Sequence, residues 1–386
     1  MRSILRHTSA CALAACALIA CVTAALAGGT NRGAEAPPVF TVQTTPALRA
    51  HGGSLQGVAA LSTTNVWSVG NTIVHFNGTA WQAVASVAGG GTLADVSALS
   101  AGDVWAAGTL GSTPLAEHWN GKSWSQVSTV SLSDSASFNS VLVLSPKDVW
   151  AGGQVVIPNV AIEPLFEHWN GQAWTVVNGP SESAFIRKLA GTGPTDIWAV
   201  GYTTSATAKP VIEHFDGKQW KRVAAPFPGL GGELYGVAAL SPTDAWAVGF
   251  ATLAQVGNKQ QFLGSPVQAL IEHWDGKSWQ IVPSPNVGTP SVFQRNALYA
   301  IAALSSTDIW TAGQFQLPDG SGSQLTLALH WDGTAWSICP VPNVGLAGGL
   351  RGVAVAQPGT VVLVGAGSFG GGLPDLSPLI ATSNGG

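Results

Sequence analysis

Hydrophobic positions along this chain recur in a long unit rather than at helical spacing. A short apolar stretch rich in Gly and Ala leads into Asp-x-Trp and a second apolar stretch. After a variable gap comes His-Trp/Phe-Asn/Asp-Gly-x-x-Trp. The clearest copy runs from Leu234 to Pro285, opening LYGVAALSPTDAWAVG and resuming after an insertion as ALIEHWDGKSWQIVPSP. The first Trp recurs at Trp67, Trp105, Trp150, Trp198, Trp246 and Trp310, and the terminal Trp at Trp81, Trp124, Trp174, Trp220, Trp279 and Trp336. All sixteen tryptophans fall on this unit. A seventh copy begins at Leu350 and stops at LIATSNGG, one strand short, while Phe40 to Pro46 (FTVQTTP) matches Trp279 to Pro285 with Phe40 in the Trp place.

Each unit predicts four short strands. The first (Leu234 to Leu240) carries the small residues that suit convergence at a centre, and the second (Ala245 to Gly249) alternates Trp246 and Val248 with smaller residues. The third ends at His-Trp-Asp-Gly, where Asn/Asp-Gly signals a two-residue hairpin because both residues tolerate positive φ. The fourth runs from the terminal Trp to a Pro-rich exit. First-Trp spacings from 38 (Trp67 to Trp105) to 64 (Trp246 to Trp310) fit four strands per repeat. The fold expected is therefore all-β: one seven-bladed β-propeller over residues 38–386, four antiparallel strands per blade, the last blade closed by the N-terminal strand. Closure removes the unpaired edges that an open array would expose.

Residues 1–27 read as a targeting segment. Arg2 and Arg6 precede an apolar run from Ala10 to Ala27, and Ala25-Leu26-Ala27 has the small-x-small form of a signal-peptidase site. Leu18-Ile19-Ala20-Cys21 also matches a bacterial lipobox, which would make Cys21 a lipidated first residue and a membrane attachment. An uncleaved anchor is the remaining alternative, since about 20 apolar residues span a bilayer. Residues 28–37 read as a linker. The expected location is extracellular or at the cell surface, as a monomer.

Composition narrows the chemistry. The chain is 46% hydrophobic and only 9% charged, as strands buried on both faces require. Its formal charge of −4 becomes about −6 without Arg2 and Arg6, and it has no basic run, which excludes nucleic acid as a partner. Beyond Cys11, Cys16 and Cys21 only Cys339 remains, at the place of Val282 in the preceding unit, and it reads as a buried strand residue. His75, His118, His168, His214, His273 and His330 occupy one repeat position each, too far apart around a ring to share a metal; no metal, cofactor or catalytic residue is expected. The repeated Asp103, Asp148, Asp196, Asp244 and Asp308, with Asn65, read as turn formers whose side chains accept local backbone N–H bonds. Glu117, Glu167, Glu213 and Glu272 read as a solvated strand position.

Asp-x-Trp-x-x-Gly followed by Asn/Asp-Gly-x-x-Trp resembles the repeat of the photosystem II stability/assembly factor-like propellers and, more distantly, the Asp-box (BNR) repeat of sialidase-type propellers. Ile380 to Gly386 (IATSNGG) is the copy most similar in form. The chain departs from that pattern in using His-Trp/Phe where Thr-x is usual. The resemblance implies a propeller whose variable loops rim one mouth of a central channel, and families of this kind include assembly factors, glycosidases and carbohydrate-binding scaffolds. Fold alone does not choose among them.

Positions that break the repeat carry the functional information. Nine residues before the turn Asp or its equivalent stand Gln56, Ala94, Asn139, Arg187, Tyr235, Tyr299 and Arg351, unlike in charge and size. Four residues separate Gly70 from His75 but twenty-three separate Gly249 from His273, and that longest loop carries Lys259 and Phe262. The expected site therefore comprises Gln56, Asn139, Arg187, Tyr235, Tyr299, Arg351, Lys259 and Phe262, with Arg to pair an anion and Tyr to stack on a sugar or peptide. The reading is a non-catalytic exported binding or scaffold protein with a protein or glycan ligand. The alternatives are an assembly factor for an exported complex, or a sialidase-like glycosidase. In the glycosidase, Arg187, Arg295 and Arg351 would clamp a carboxylate and Tyr235 or Tyr299, activated by Glu233, would be the nucleophile.

Overall fold

In a computed structural model the residues described are 38–43, 53–180, 183–253, 266–288, 295–316, 322–343, 348–356, 359–368 and 376–383. The targeting segment with Cys21 and the linker lie outside them. The described residues form an all-β array of 28 strands. Strand β1 is Phe40–Gln43. The first unit holds β2 (Leu55–Ser62), β3 (Asn65–Gly70), β4 (Ile73–Phe76) and β5 (Trp81–Val84), and the second β6 (Thr92–Ser100), β7 (Asp103–Leu110), β8 (Thr113–Trp119) and β9 (Trp124–Val127). The third has β10 (Ser135–Ser145), β11 (Asp148–Ile157), β12 (Ala161–Trp169) and β13 (Trp174–Val176). The fourth has β14 (Ala184–Gly193), β15 (Asp196–Thr203), β16 (Pro210–Phe215) and β17 (Trp220–Val223). The fifth has β18 (Gly231–Ser241), β19 (Asp244–Thr252), β20 (Val267–Trp274) and β21 (Trp279–Ile281). The sixth has β22 (Arg295–Ser305), β23 (Asp308–Gln316), β24 (Gln324–Trp331) and β25 (Trp336–Cys339). The last has β26 (Gly348–Ala356), β27 (Thr360–Ser368) and β28 (Leu376–Ser383), with β1 as its outer strand. Each unit is an antiparallel meander, and a single parallel bridge between Val267 and Arg295 links the fifth to the sixth.

The first strands lie side by side in succession, β2 against β6, and so on to β22 against β26, and β26 also lies against β2. Close approach at this centre needs small residues: a Cβ on Gly57 would come within 2.9 Å of the Asp95 backbone, and one on Gly352 within 2.8 Å of Val364. Outward from the centre, aromatic rings fill the space between units. From the second unit to the sixth, the terminal Trp meets the first Trp of the preceding unit edge to face, as Trp124 on Trp67 at 5.4 Å and 83°, Trp174 on Trp105 at 5.6 Å and 84°, and Trp279 on Trp198 at 5.1 Å and 89°, whereas Trp81 of the first unit clusters with Val362 and Val364 of the last. Phe40 of β1 makes the same contact on Trp310, at 5.9 Å and 75°. Strand β1 pairs with β28 from Phe40↔Ser383 to Gln43↔Ile380, and Phe40 is buried.

The repeated polar residues do other work than expected. The turn Asp accepts from side chains, not from backbone amides. Asp244 Oδ1 takes a bond from His273 Nε2 at 2.9 Å and from Trp246 Nε1 at 3.0 Å, and the His ring stacks on the same Trp at 4.2 Å. Asp103, Asp148 and Asp308 repeat the arrangement, with His118 and Trp105, His168 and Trp150, and His330 and Trp310. Asn65 and Asp196 hold the His, His75 and His214, but not the Trp, and Asp196 also accepts from Thr192 Oγ1; the indole N–H groups of Trp67 and Trp198 are left without a partner. A Ser three residues earlier performs the turn-forming duty, as where Ser241 Oγ accepts from Thr243 N at 3.2 Å. This cluster is structural, as the shared repeat position implied for the histidines.

The hairpin between third and fourth strands is also longer than two residues. Phe76 pairs with Trp81, so residues 77–80 form a four-residue loop. Asn77 Oδ1 accepts from Thr79 N and Ala80 N, at 3.0 and 3.1 Å, and only Gly78 takes positive φ, at 89°. Asp216, Asp275 and Asp332 make the same pair of bonds, and their carboxyls are held below the usual range, at Asp216 chiefly by Lys221 and at Asp332 chiefly by the Thr334 hydroxyl, with the backbone pair adding to both, and at Asp275 chiefly by that pair.

Glu117, Glu167, Glu213 and Glu272 are not solvated; all four are fully buried. The third strand on which they stand faces the link from the preceding unit. Glu117 accepts from Ser86 Oγ at 2.6 Å and Ala88 N at 2.9 Å, Glu167 from Val130 N at 3.1 Å, and Glu213 from Arg222 at 3.0 Å. Neither oxygen of Glu272 has a hydrogen-bond partner. Burial pushes the Glu167 carboxyl up to about 7 and that of Glu272 up to about 8. Cys339 is buried on β25, and burial pushes its thiol up to about 12, the opposite of an activated nucleophile.

Two outcomes are expected. Phe40→Ala should cost roughly 3–5 kcal/mol in urea denaturation, the scale of a large-to-small core change, while Thr41→Ala on the exposed face should stay within about 0.5 kcal/mol. Equal stability of the two variants would detach Phe40 from the core. Glu272 binds its proton more tightly folded than unfolded, so its contribution falls as pH rises from about 4.5 to about 8 and is flat above. Glu272→Gln should therefore match the parent near pH 4 and exceed it at pH 9 by a few kcal/mol, at about 1.36 kcal/mol per pKa unit. A stability difference independent of pH would contradict this.

Candidate functional site

The variable column reaches the centre through a repeated irregularity in the first strand. Pairing with the second strand skips one residue near its start: Leu55 to Gly57, Leu93 to Asp95, Phe138 to Ser140, Ile186 to Lys188, Leu234 to Gly236, Leu298 to Ala300 and Leu350 to Gly352. The residues left out are Gln56, Ala94, Asn139, Arg187, Tyr235, Tyr299 and Arg351. A β-bulge leaves its extra residue unpaired and re-aims the side chain. All seven are half-buried and line one cavity of about 540 Å³ at the converging first strands. Six of the eight expected site residues thus come together. Lys259 and Phe262 lie outside the described residues.

On one side of the cavity the lining is cationic and aromatic. Arg187 donates to the Tyr202 hydroxyl, and its guanidinium carbon lies 5.1 Å from the Tyr202 ring centre and 5.5 Å from those of Phe185 and Tyr235. Arg351 lies over Tyr299 at 4.1 Å, and Tyr299 meets Tyr235 edge to face at 5.1 Å. Stacking of this kind fixes a guanidinium without neutralising it. The Tyr235 hydroxyl donates to Glu233 Oε2 at 2.5 Å, and burial, then that carboxylate, raises its pKa. This contact is the Tyr–Glu pairing that the glycosidase reading expected, within hydrogen-bond reach. Arg295 is not in the cavity; it lines a separate cleft that shares only Tyr299 with it, so the three arginines form no common clamp.

The other side is polar and internally satisfied. Lys188 Nζ holds both oxygens of the buried Asp95 at 2.7 Å, and Asp95 Oδ2 also accepts from Ser140 Oγ at 2.8 Å and Val141 N at 3.0 Å. This network joins β6, β10 and β14, and it neutralises the nearest lysine, leaving Arg187 and Arg351 as the cavity's cations without an ion pair among the described residues. Asn139 donates to Gln154 and to the Ile186 carbonyl, and Gln56 donates to Ser54 at 2.6 Å.

Sequence reasoning missed two sets of residues here. Asp95, Ser140 and Lys188 follow the bulge, where the other units have Gly57, Gly236, Ala300 and Gly352. Tyr202, Phe250 and Gln154 each follow the repeat glycine of the second strand, a column that also reads Asn71, Thr109, Gln314 and Ala366. The same signal, variation at a fixed repeat position, marks both columns.

The architecture and the repeat define a β-propeller. No family model matches the chain, and no curated protein does. Among solved structures it is similar to "YCF48 bound to D1 peptide", a β-propeller, at 15% identity and a TM-score of 0.54, over 90% of this chain and 98% of that one. It is also similar to "Structure of U3-55K", at 10% identity and a TM-score of 0.56, over 90% of this chain and all of that one. At these identities the likeness is one of fold.

Proposed function

We propose that the chain is an exported, non-catalytic propeller of seven blades, the last completed by β1, that binds an anionic segment of a partner at its central cavity. The observation that carries this reading is the pair Arg187 and Arg351: two guanidiniums held against tyrosine rings, facing one cavity of about 540 Å³, with no carboxylate paired to either among the described residues. Guanidinium edges held in this way form strong charge-assisted bonds to carboxylates. A propeller of the same fold, YCF48, is known bound to D1 peptide, so a peptide is a ligand the architecture accommodates. Export rests on the apolar run after Arg2 and Arg6 and on the cleavage and lipobox patterns ending at Ala27 and Cys21.

The tyrosine faces favour peptide over sugar. Arg351 covers Tyr299, and Arg187 and Phe250 flank Tyr235, so the surfaces a pyranose would stack on are taken by the protein's own side chains. What remains open is hydrogen-bonding capacity.

The binding test uses the tightest ligand selected by the intact protein from a randomised heptapeptide library. Replacing Arg187 and Arg351 together with Ala should weaken it about a hundredfold, close to 2.7 kcal/mol, while the melting temperature stays put. Binding that survives this change and is lost on Lys218→Ala with Lys277→Ala would move the working surface to the outer hairpins. For export, mass spectrometry of the protein from its producing cells should find an N-terminus near Gly28 or a diacylglyceryl Cys21; an intact Met1 would contradict it.

A further inference from the structure

A second cleft, of about 100 Å³, opens between the fifth and sixth units beside the central cavity and meets it at Tyr299. Much of the space between units is filled by apolar and aromatic side chains. Here the register places Arg295 opposite Gln316 and Gln316 opposite Gln324, a polar row across β22, β23 and β24, with Gln314 two residues along β23. All four line the cleft, whose remaining walls are Phe250, Val267, Ala297 and Tyr299. No acidic side chain is among the described residues that line it.

The polar groups are unspent. Among the described residues Arg295 has no ion pair or hydrogen bond, Gln316 and Gln324 have no side-chain hydrogen bonds, and Gln314 Oε1 is buried without a partner. A buried amide oxygen left unbonded is costly, and native proteins retain such groups where something else completes them. Gln314 Oε1 is an acceptor and calls for a donor such as a peptide N–H, while the Arg295 guanidinium and the amide N–H groups of Gln316 and Gln324 are donors that match a planar acceptor group carrying negative charge. The volume suits one such group and not a whole ligand.

We infer that this cleft is a subsite for a single carboxylate of a peptide whose remainder lies over Tyr299 in the central cavity, with Arg295 as its charge partner, Gln316 and Gln324 donating to it, and Gln314 Oε1 accepting from a neighbouring peptide N–H. The inference rests on the proposal that the central cavity binds an anionic peptide, and it adds a second, spatially separate carboxylate requirement. The ligand class is thus a peptide with at least two acidic groups, one for Arg187 and Arg351 and one for Arg295.

The test uses the full chain, the same selected heptapeptide and a series in which each carboxylate in turn, including the chain end, is replaced by a carboxamide. Arg295→Ala should weaken the parent peptide at least tenfold with no change in melting temperature, since the exposed, unpartnered Arg295 supports nothing in the fold. One carboxamide peptide should lose the same tenfold against the unaltered protein and nothing further against Arg295→Ala. Gln316→Ala should weaken binding in the same direction. The inference is overturned if Arg295→Ala binds within twofold of the parent, if its loss tracks no particular carboxylate, or if the selected peptides carry no acidic group. Loss on replacing Arg187 and Arg351 without loss on replacing Arg295 removes this subsite alone. Failure of the library to yield any ligand removes the central-cavity reading with it.

Discussion

The contact on which the rest depends is the edge-to-face meeting of one unit's terminal Trp with the first Trp of the unit before it. Each first Trp is fixed from its own side, by a His stacked on its face and in four units by an Asp that accepts from both rings. Each such pair contributes about 0.5–1.5 kcal/mol beyond area burial, and repetition makes the sum large. Because the contact joins successive units rather than strands within one, it sets how units pack, and the first strands then meet so closely that a Cβ on Gly57 would press on the Asp95 backbone. Phe40 shows the rule from the other direction: the last unit contains no terminal Trp of its own, and a ring from far earlier in the chain meets Trp310 at the same angle.

A scaffold held at every repeat leaves little freedom where it is held. Variation collects instead at positions with no part in the clamp, and the bulge in each first strand supplies one. An unpaired residue there costs the ladder one step and turns a side chain into the cavity, so seven unlike side chains meet on a uniform frame. Charge is apportioned among them. Lys188 is consumed by Asp95, whereas Arg187 and Arg351 are positioned by rings that leave their charge intact. Positioning by stacking lowers the ordering cost of binding without supplying a competitor for the ligand.

Much of this was legible in the sequence. Tryptophan spacing gave the strands and the unit, and counting back from the turn acid located the bulge column before any geometry was known, because that column changes character from unit to unit. The duties of Asp244 and Glu272 were not legible. A turn Asp and a clamp Asp have the same sequence neighbours, and the difference lies in His273, twenty-nine residues away, reaching back across two strands. Glu272 directly precedes a half-exposed His, which reads as an outward position; the equivalent Glu117 and Glu167 are instead covered by the link of the preceding unit, whose backbone amides they accept from, a contact between units that no local pattern encodes. Tyr202 and Phe250 were missed for a different reason: attention to one variable column hid the neighbouring one, although both vary.

Hydrogen–deuterium exchange of the full chain, with and without its selected peptide, tests most directly whether the scaffold and the mouth are separate parts. Slowed exchange should appear at the amides flanking the bulges in β14, β18, β22 and β26, with the Asn/Asp-Gly hairpins and the clamp strands unchanged. Protection confined to the outer hairpins, at residues 216–219 and 275–278, would contradict the account and make the rim of the array its binding surface.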